Sequence, residues 1–424
     1  MLYRIARILD VISILIVLVI LGGGDHPRIT GNADRVRLYT REIEFDYPNW
    51  VWGATWTKIK QATIQSPFTF DRGTSKQLVF DYLRVTDHLS QTELRLEQIH
   101  ADPAITDKNT SSKLLRSQRD SLTDRQAALA PFAESILQSQ LGDILSQLGL
   151  TTFGQPLPPV LYHSSPTPLA LIVSPRNRIE QTANISVLPT LTLDQQISLE
   201  DNVAASLDVS TLVVPVGGVG VYPTMVMETT DLRWLLSTIA HEWTHNYLNV
   251  RPLGLSYSKT PELRTMNETV ANIVGDEVGS LVMQNYYPEM SASSFNGTLI
   301  LFNDPFRRSS LIEDPPAFDF RAEMHETRVR ADELLAEGKV EEAETYMEAR
   351  RQVFWQNGYL LRKLNQAYFA FHGAYADVPG GAAGEDPVGP AVRALRAQSA
   401  SLKDFINTIA GMTSFDQLLQ AIQQ

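Results

Sequence analysis

Two histidines and a glutamate stand at a spacing that suits a metal site, in the segment His241-Glu242-Trp243-Thr244-His245. Residues four apart lie on one face of an α-helix, so His241 and His245 can bind one metal ion from the same side. Glu242 lies one position further round the helix, where its carboxylate can accept a proton from a water molecule that the metal activates. The segment therefore predicts a zinc site with a built-in general base.

The residues before these histidines favour a helix. Asp231 can cap its start, because an aspartate side chain accepts hydrogen bonds from the first backbone N–H groups of a helix. Apolar residues then recur at roughly helical spacing, and they are Leu232, Leu235, Leu236, Ile239 and Trp243. This pattern predicts that the helix buries one face and carries the metal site into a core.

A third ligand is expected, because a catalytic zinc site takes three protein ligands and leaves the fourth position open. Glu268 is the first choice, and Asp276 and Glu277 are its rivals. On an unbroken helix, Glu277 lies about half a turn from the face that bears Glu268, whereas Asp276 stays nearer to that face. We therefore expect Glu268 to bind the metal, Asp276 to support the ligands, and Glu277 to be solvated or structural.

The two segments together resemble the gluzincin metallopeptidases, the thermolysin-like and aminopeptidase-like group. In that family a second helix carries Asn-Glu-x-x-Ser/Ala-Asp, and here Asn267, Glu268, Ala271 and Asn272 match it except at the last position. The resemblance implies that Glu268 is the third ligand and that Asn272 stands where the family has an Asp that orients a zinc-bound His. An amide would leave that His less basic than a carboxylate would. The resemblance covers about residues 231–280, and the family's Gly-x-Met-Glu-Asn motif for the substrate amine is absent.

Peptide hydrolysis also needs a donor for the developing oxyanion. In gluzincins a Tyr or His that follows the metal helices supplies it, which implies Tyr368, His372 or Tyr375 here. His372 lies four residues after Tyr368, so both can face one cleft. The alternative is that these residues are core aromatics of a packed helix. Tyr257, in the segment between the two ligand helices, is a reserve candidate.

The rest of the sequence predicts a predominantly helical α+β protein with a small β-sheet before a zincin-type metal helix and helical hairpins on either side. The first hairpin is expected at 75–148 with a break at 101–110, and the second has helices at 321–338 and 340–371. Short β-rich runs occur at 160–162, 169–173, 211–216 and 219–226. The expected divisions are 1–24 (signal peptide or anchor), 25–49 (tether), 50–156 (helical region), 157–290 (catalytic core) and 291–424 (C-terminal helical region).

Two local features allow more than one interpretation. The glycines of Val216–Pro223 suit either an edge strand that a substrate backbone approaches closely or a tight turn without a ligand. Trp50, Trp52 and Trp56 suit either an interfacial belt or packing of the first helices, and packing is favoured.

Composition narrows the function classes. Hydrophobic residues at 43% and charged residues at 20% are typical of a folded protein. The net charge of -12 argues against a nucleic-acid partner, since phosphate binding needs clustered Lys and Arg. The chain has no cysteine, so disulfides and thiolate zinc ligands are excluded and His and carboxylate remain as ligands.

The N-terminal segment predicts export. Arg4 and Arg7 precede the apolar residues 11–21, and Gly22, Gly23 and Gly24 follow. The apolar stretch suits a signal sequence, and residues 5–21 together are long enough for a transmembrane helix that anchors the protein. The positive charge before it places the following domain outside the cytoplasm.

These features together predict an exported, membrane-anchored zinc metallopeptidase that acts on a peptide or protein substrate. One alternative is an extracytoplasmic binding or assembly protein with a structural zinc site. The other is a zinc hydrolase of a non-peptide amide.

Overall fold

A computed structural model describes residues 31–63, 70–101, 107–292, 318–375 and 381–423 of the 424. Within these ranges the chain is a predominantly helical α+β protein with two small sheets, as the sequence predicts. The signal or anchor segment at 1–24 lies outside the described residues.

Among the described residues most elements are helices, and the six strands all lie between residues 162 and 226. The helices are α1 (Asn32–Thr40), α2 (Tyr47–Thr63), α3 (Arg72–Ala101), α4 (Lys108–Gln147), α5 (Leu193–Leu207), α6 (Leu232–Leu248), α7 (Pro252–Leu255), α8 (Pro261–Tyr286), α9 (Pro288–Ala292), α10 (Phe320–Ala336), α11 (Val340–Gln356), α12 (Gln366–His372), α13 (Val388–Gln398), α14 (Leu402–Ala410) and α15 (Phe415–Ile422). The strands are β1 (Tyr162–Ser164), β2 (Leu169–Pro175), β3 (Ala183–Val187), β4 (Val209–Pro215), β5 (Gly218–Val219) and β6 (Thr224–Val226).

The strands form two three-stranded sheets instead of the single small sheet expected. The first has the order β3-β2-β4 and is antiparallel. The second has the order β1-β6-β5, with β1 parallel and β5 antiparallel to β6, so β5 lies at an edge. The sequence reading missed β3, although its buried residues Ala183, Ile185 and Val187 alternate with the more exposed Asn184 and Ser186. It also missed α5, although Thr192 and Gln195 form a capping box at its start.

The predicted hairpins form, with different ends. α3 and α4 pack together, and α4 begins at Lys108, while residues 102–106 of the predicted break lie outside the described residues. In the second hairpin, α11 ends at Gln356 and not at Phe371. Gly358 adopts a left-handed backbone conformation with a φ of 86°, which terminates the helix. Asn365 then caps the separate short helix α12, which carries the C-terminal aromatic residues.

The expected tether at 25–49 contains a packed helix, α1. Its Val36 is fully buried among side chains of the β3-β2-β4 sheet. Of the clustered tryptophans, Trp50 packs on His163 and donates to the hydroxyl of Ser165, whereas Trp52 and Trp56 are exposed. The packing interpretation therefore holds for Trp50.

The expectation of a transmembrane helix is wrong for the described residues. None of the helices in those ranges is both long and apolar enough to cross a membrane. The apolar segment at 11–21 that led to the expectation lies outside them.

Candidate metal centre

Helix α6 presents His241 and His245 side by side, as the sequence predicts. The carboxylate of Asp231 caps the helix by accepting a hydrogen bond from the backbone N–H of Trp234 at 3.0 Å. The predicted apolar face is buried, and the Trp243 indole donates to the backbone carbonyl of Pro158 at 2.8 Å. The helix that carries the histidines is therefore fixed on both its buried face and its N-terminus.

Helix α8 brings Glu268 to the two histidines because it approaches α6 very closely. Thr260 caps α8, and Pro261 occupies its first turn. Gly275 and Gly279 face Ser237 of α6, where a Cβ on either glycine would lie less than 3 Å from atoms of Ser237. Glycine at these two positions is what allows the backbones to come this near.

The three predicted ligands form one cluster. The Nε2 atoms of His241 and His245 lie 3.0 Å apart, and Oε2 of Glu268 lies 3.6 Å from each of them. Glu268 is only 4% exposed, and yet this buried oxygen has no hydrogen-bond partner. A cation placed between this buried carboxylate oxygen and the two imidazole nitrogens would satisfy all three atoms. The donor set of two nitrogens and one oxygen suits zinc.

The outer nitrogen of one histidine is held by a residue that the sequence reading did not choose. Nδ1 of His245 lies 2.8 Å from Oδ1 of Asn267, which can only accept a hydrogen bond. In the neutral imidazole this bond places the proton on Nδ1 and leaves Nε2 able to bind a metal. The family resemblance assigns this kind of contact to Asn272, but the structure gives it to Asn267.

The second oxygen of Glu268 is also engaged. The hydroxyl of Tyr257 donates to Oε1 at 2.5 Å. Burial and the charge of Glu268 raise the pKa of Tyr257 far above its usual value, so the hydroxyl keeps its proton. Sequence reasoning held Tyr257 only as a reserve oxyanion donor and did not foresee this bond.

Glu242 lies beside the cluster, against the glycine-rich edge strand. It is 6% exposed, and a Cβ on Gly218 would lie 2.7 Å from Oε1 of Glu242. A Cβ on Gly220 would lie 3.0 Å from Cβ of His245 and 3.4 Å from Oε2 of Glu242. The space that these glycines leave open is thus occupied by the metal helix itself.

The electrostatics of the cluster favour a cation. Burial alone would raise the pKa of Glu268, but the neighbouring His245 and His241 hold it well below its usual value. Burial would lower the pKa of His245, but Glu268 and Glu242 raise it to about 9. Burial raises the pKa of Glu242, with His241 and His245 acting in the opposite direction. A carboxylate with a raised pKa beside a metal site is suited to carry a proton.

The three C-terminal aromatic candidates do not lie together at the metal residues. The Tyr375 ring stacks near that of His241, with centroids 6.5 Å apart and an interplanar angle of 29°. His372 packs instead on Tyr368, with centroids 4.3 Å apart, and burial lowers the pKa of His372 to about 4. Tyr375 is therefore the one of the three whose ring contacts a ligand residue.

The rival carboxylates lie away from the cluster. Asp276 is exposed and does not belong to the group of possible metal ligands, and its expected supporting role stays a prediction. Glu277 accepts two hydrogen bonds from Arg396 of α13, at 2.7 and 2.9 Å, so it has the structural role expected of it. Only Glu268 of the three carboxylates joins the histidines among the described residues.

Comparison of the chain with family models, with curated proteins and with solved structures finds no match. The likeness of residues 231–280 to the gluzincins therefore gains no support from relatives and stays a prediction.

Proposed function

We propose that this protein is a zinc-dependent hydrolase that cleaves peptide bonds. The observation that carries the proposal is the buried, unpartnered Oε2 of Glu268, which faces the Nε2 atoms of His241 and His245. Bound zinc would supply Lewis acidity, which acidifies water and polarises a carbonyl group.

The neighbouring residues support catalysis. Glu242 would take the proton of the attacking water and deliver it to the leaving nitrogen, in keeping with its burial and raised pKa. Tyr375 would donate to the developing oxyanion. Burial raises the pKa of Tyr375 well above its usual value, which keeps its hydroxyl protonated.

The ligand count favours a catalytic over a structural site. A structural zinc site is closed by four protein ligands, whereas a catalytic site uses three. Within the described ranges the cluster comprises His241, His245 and Glu268. A closed structural site does not use a general base, whereas Glu242 lies beside this cluster, where it could act as one.

The edge strand supports a peptide over another amide as substrate. β5 pairs with β6 on one side only and lies directly beside Glu242. An extended peptide can add to such an edge through its backbone and so place a peptide bond next to the base.

The Glu242→Gln variant tests the proposal. We expect it to keep zinc, measured by metal analysis, and to lose hydrolysis of a peptide library by roughly 100-fold or more. Glu262→Gln, which changes an exposed carboxylate in the first turn of α8, is the matched control and should behave like wild type. Unchanged turnover in Glu242→Gln would contradict the mechanism, and a wild-type protein that binds no zinc would contradict the site.

A further inference from the structure

The two oxygens of Glu268 have different surroundings. Oε1 accepts the hydrogen bond from Tyr257, while Oε2 faces the imidazole nitrogens without a partner. A carboxylate with two free oxygens can bind a metal through one or both of them. In this site Tyr257 engages Oε1, and Oε2 is the oxygen that faces the histidines.

Tyr257 is itself held in place from several sides. It follows the short helix α7, and its backbone N–H donates to the carbonyl of Gly254 at 3.1 Å. Its ring meets that of His245 edge-on, at a centroid distance of 6.3 Å. The hydroxyl is therefore fixed relative to both a histidine and the carboxylate of the cluster.

A buried arginine completes this arrangement. Arg264 is 9% exposed, lies one helical turn before Glu268, and interacts electrostatically with Tyr257, Glu268 and Tyr375. It donates to the backbone carbonyl of Ala370 at 2.8 Å, which ties α8 to the helix that precedes Tyr375. A guanidinium stays charged, so it offers a fixed positive field behind the carboxylate.

We propose that Tyr257 is a positioning residue that makes Glu268 a one-oxygen ligand and aims Oε2 at the metal. This inference rests on the proposed zinc site but not on the reaction. One-oxygen coordination suits the compact four-coordinate geometry of zinc, whereas carboxylates that bind through both oxygens suit larger cations such as calcium. Tyr257 would thus contribute to both the affinity and the choice of metal.

The Tyr257→Phe variant of the full-length protein tests this inference. We expect its zinc affinity, measured by competition with a chromophoric chelator, to fall by about 10- to 100-fold, the usual effect of losing a group that orients a ligand. We also expect the visible absorption spectrum of the cobalt-loaded protein to change, because Oε1 becomes free to bind. The spectrum reports on ligand number, which a general loss of stability would not alter in this way.

Tyr247→Phe is the matched control. Tyr247 is also a buried tyrosine, but its hydroxyl donates to Asn407 at 3.1 Å, away from the cluster. This variant should keep wild-type affinity and the wild-type cobalt spectrum. A second comparison uses the Glu268→Ala background, in which Tyr257→Phe should cause no further loss of zinc affinity, since its effect passes through Glu268.

Wild-type affinity and an unchanged cobalt spectrum in Tyr257→Phe would overturn the inference while leaving the zinc site intact. A wild-type protein that binds neither metal would instead overturn the proposed function. If Tyr257→Phe does not fold, a crystal structure of the zinc-loaded wild-type protein decides. One oxygen of Glu268 on the metal would support the inference, and both oxygens would overturn it.

Discussion

Gly275 of α8 lies so close to Ser237 of α6 that a Cβ on the glycine would be 2.7 Å from the backbone carbonyl oxygen of the serine. It would also be 3.2 Å from Cβ of His241. A backbone oxygen cannot move aside as a flexible side chain can. Together with the similar approach of Gly279, this contact sets the separation of the two helices that carry the ligands.

The Gly275→Ala variant should consequently lose both stability and metal affinity. We expect a loss of about 1–3 kcal/mol in the free energy of unfolding, the range typical of overpacking. Zinc affinity should fall as well, because Glu268 moves away from the histidines. Chemical denaturation and chelator competition measure the two effects.

Gly142→Ala is the matched control, since Gly142 lies inside α4 and a Cβ there meets nothing within 4 Å. Alanine should stabilise that helix by about 0.5–1 kcal/mol without changing zinc affinity. Equal behaviour of the two alanine variants would contradict the role of Gly275.

The Gly218→Ala variant should distinguish the role of the base, Glu242, from the role of the metal ligands. Its Cβ would collide with the carboxylate of Glu242 at 2.7 Å, and that side chain can swing away. We expect zinc affinity close to wild type but a kcat reduced by roughly 10-fold or more, because proton transfer needs a positioned base. Gly53→Ala, in α2 with nothing within 4 Å of its Cβ, should leave kcat unchanged. A normal kcat in Gly218→Ala would show that Glu242 does not depend on this contact.

Asn267 and Asn272 offer a direct comparison of the structure with the family pattern. Asn267→Ala removes the hydrogen bond to Nδ1 of His245 and should weaken zinc binding by about 10- to 100-fold. Asn272→Ala should change zinc affinity little. Chelator competition on both variants measures this, and the reverse order of effects would restore the role that the family resemblance gives to Asn272.

These two asparagines also show what the sequence could and could not reveal. The cap at Asp231 and the pairing of His241 with His245 follow from local spacing, and both were predicted. The contact of Asn267 with His245 depends on how two helices pack, which local spacing does not determine. The close approach at Gly275 is likewise tertiary, although glycines four apart on one helix are a readable signal for it. The capping box of Thr192 and Gln195 was readable too, and it would have revealed α5.

Tyr375→Phe tests the proposed oxyanion donor. Loss of a donor that acts in the transition state should lower kcat by roughly 100-fold while KM and zinc affinity change little. His372→Gln should retain most of its activity, because His372 packs on Tyr368 and the Tyr375 ring is the one near His241. Steady-state kinetics on a cleaved peptide distinguish them, and a larger loss in His372→Gln would transfer the role to that residue.

A second buried charge cluster joins the N-terminal helices to the sheet that flanks the metal helix. Glu134 of α4 is fully buried and ion-paired with Lys58 of α2. Its other oxygen lies 2.9 Å from Nδ1 of His163 and accepts from the backbone N–H of Ser164 at 2.9 Å, both in β1. Burial would raise the pKa of Glu134, but Lys58 and His163 lower it from 4.5 to about 2.

A folded-state pKa below the unfolded value means that the ionised carboxylate stabilises the fold above about pH 4.5 and that this contribution disappears as the pH falls toward about 2. At pH 7 Glu134→Gln should therefore be destabilised by about 3–5 kcal/mol, because it leaves the Lys58 charge buried without its partner. The difference from wild type should narrow between those two pH values, because there the carboxylate of Glu134 is protonated in the unfolded state before it is protonated in the folded state. Urea denaturation across this pH range measures the effect.

Glu333→Gln, which removes an exposed partner of Arg330, should differ from wild type by less than about 1 kcal/mol at every pH. A stability difference for Glu134→Gln that stays constant down to pH 2 would contradict the assignment of an ionised, ion-paired Glu134.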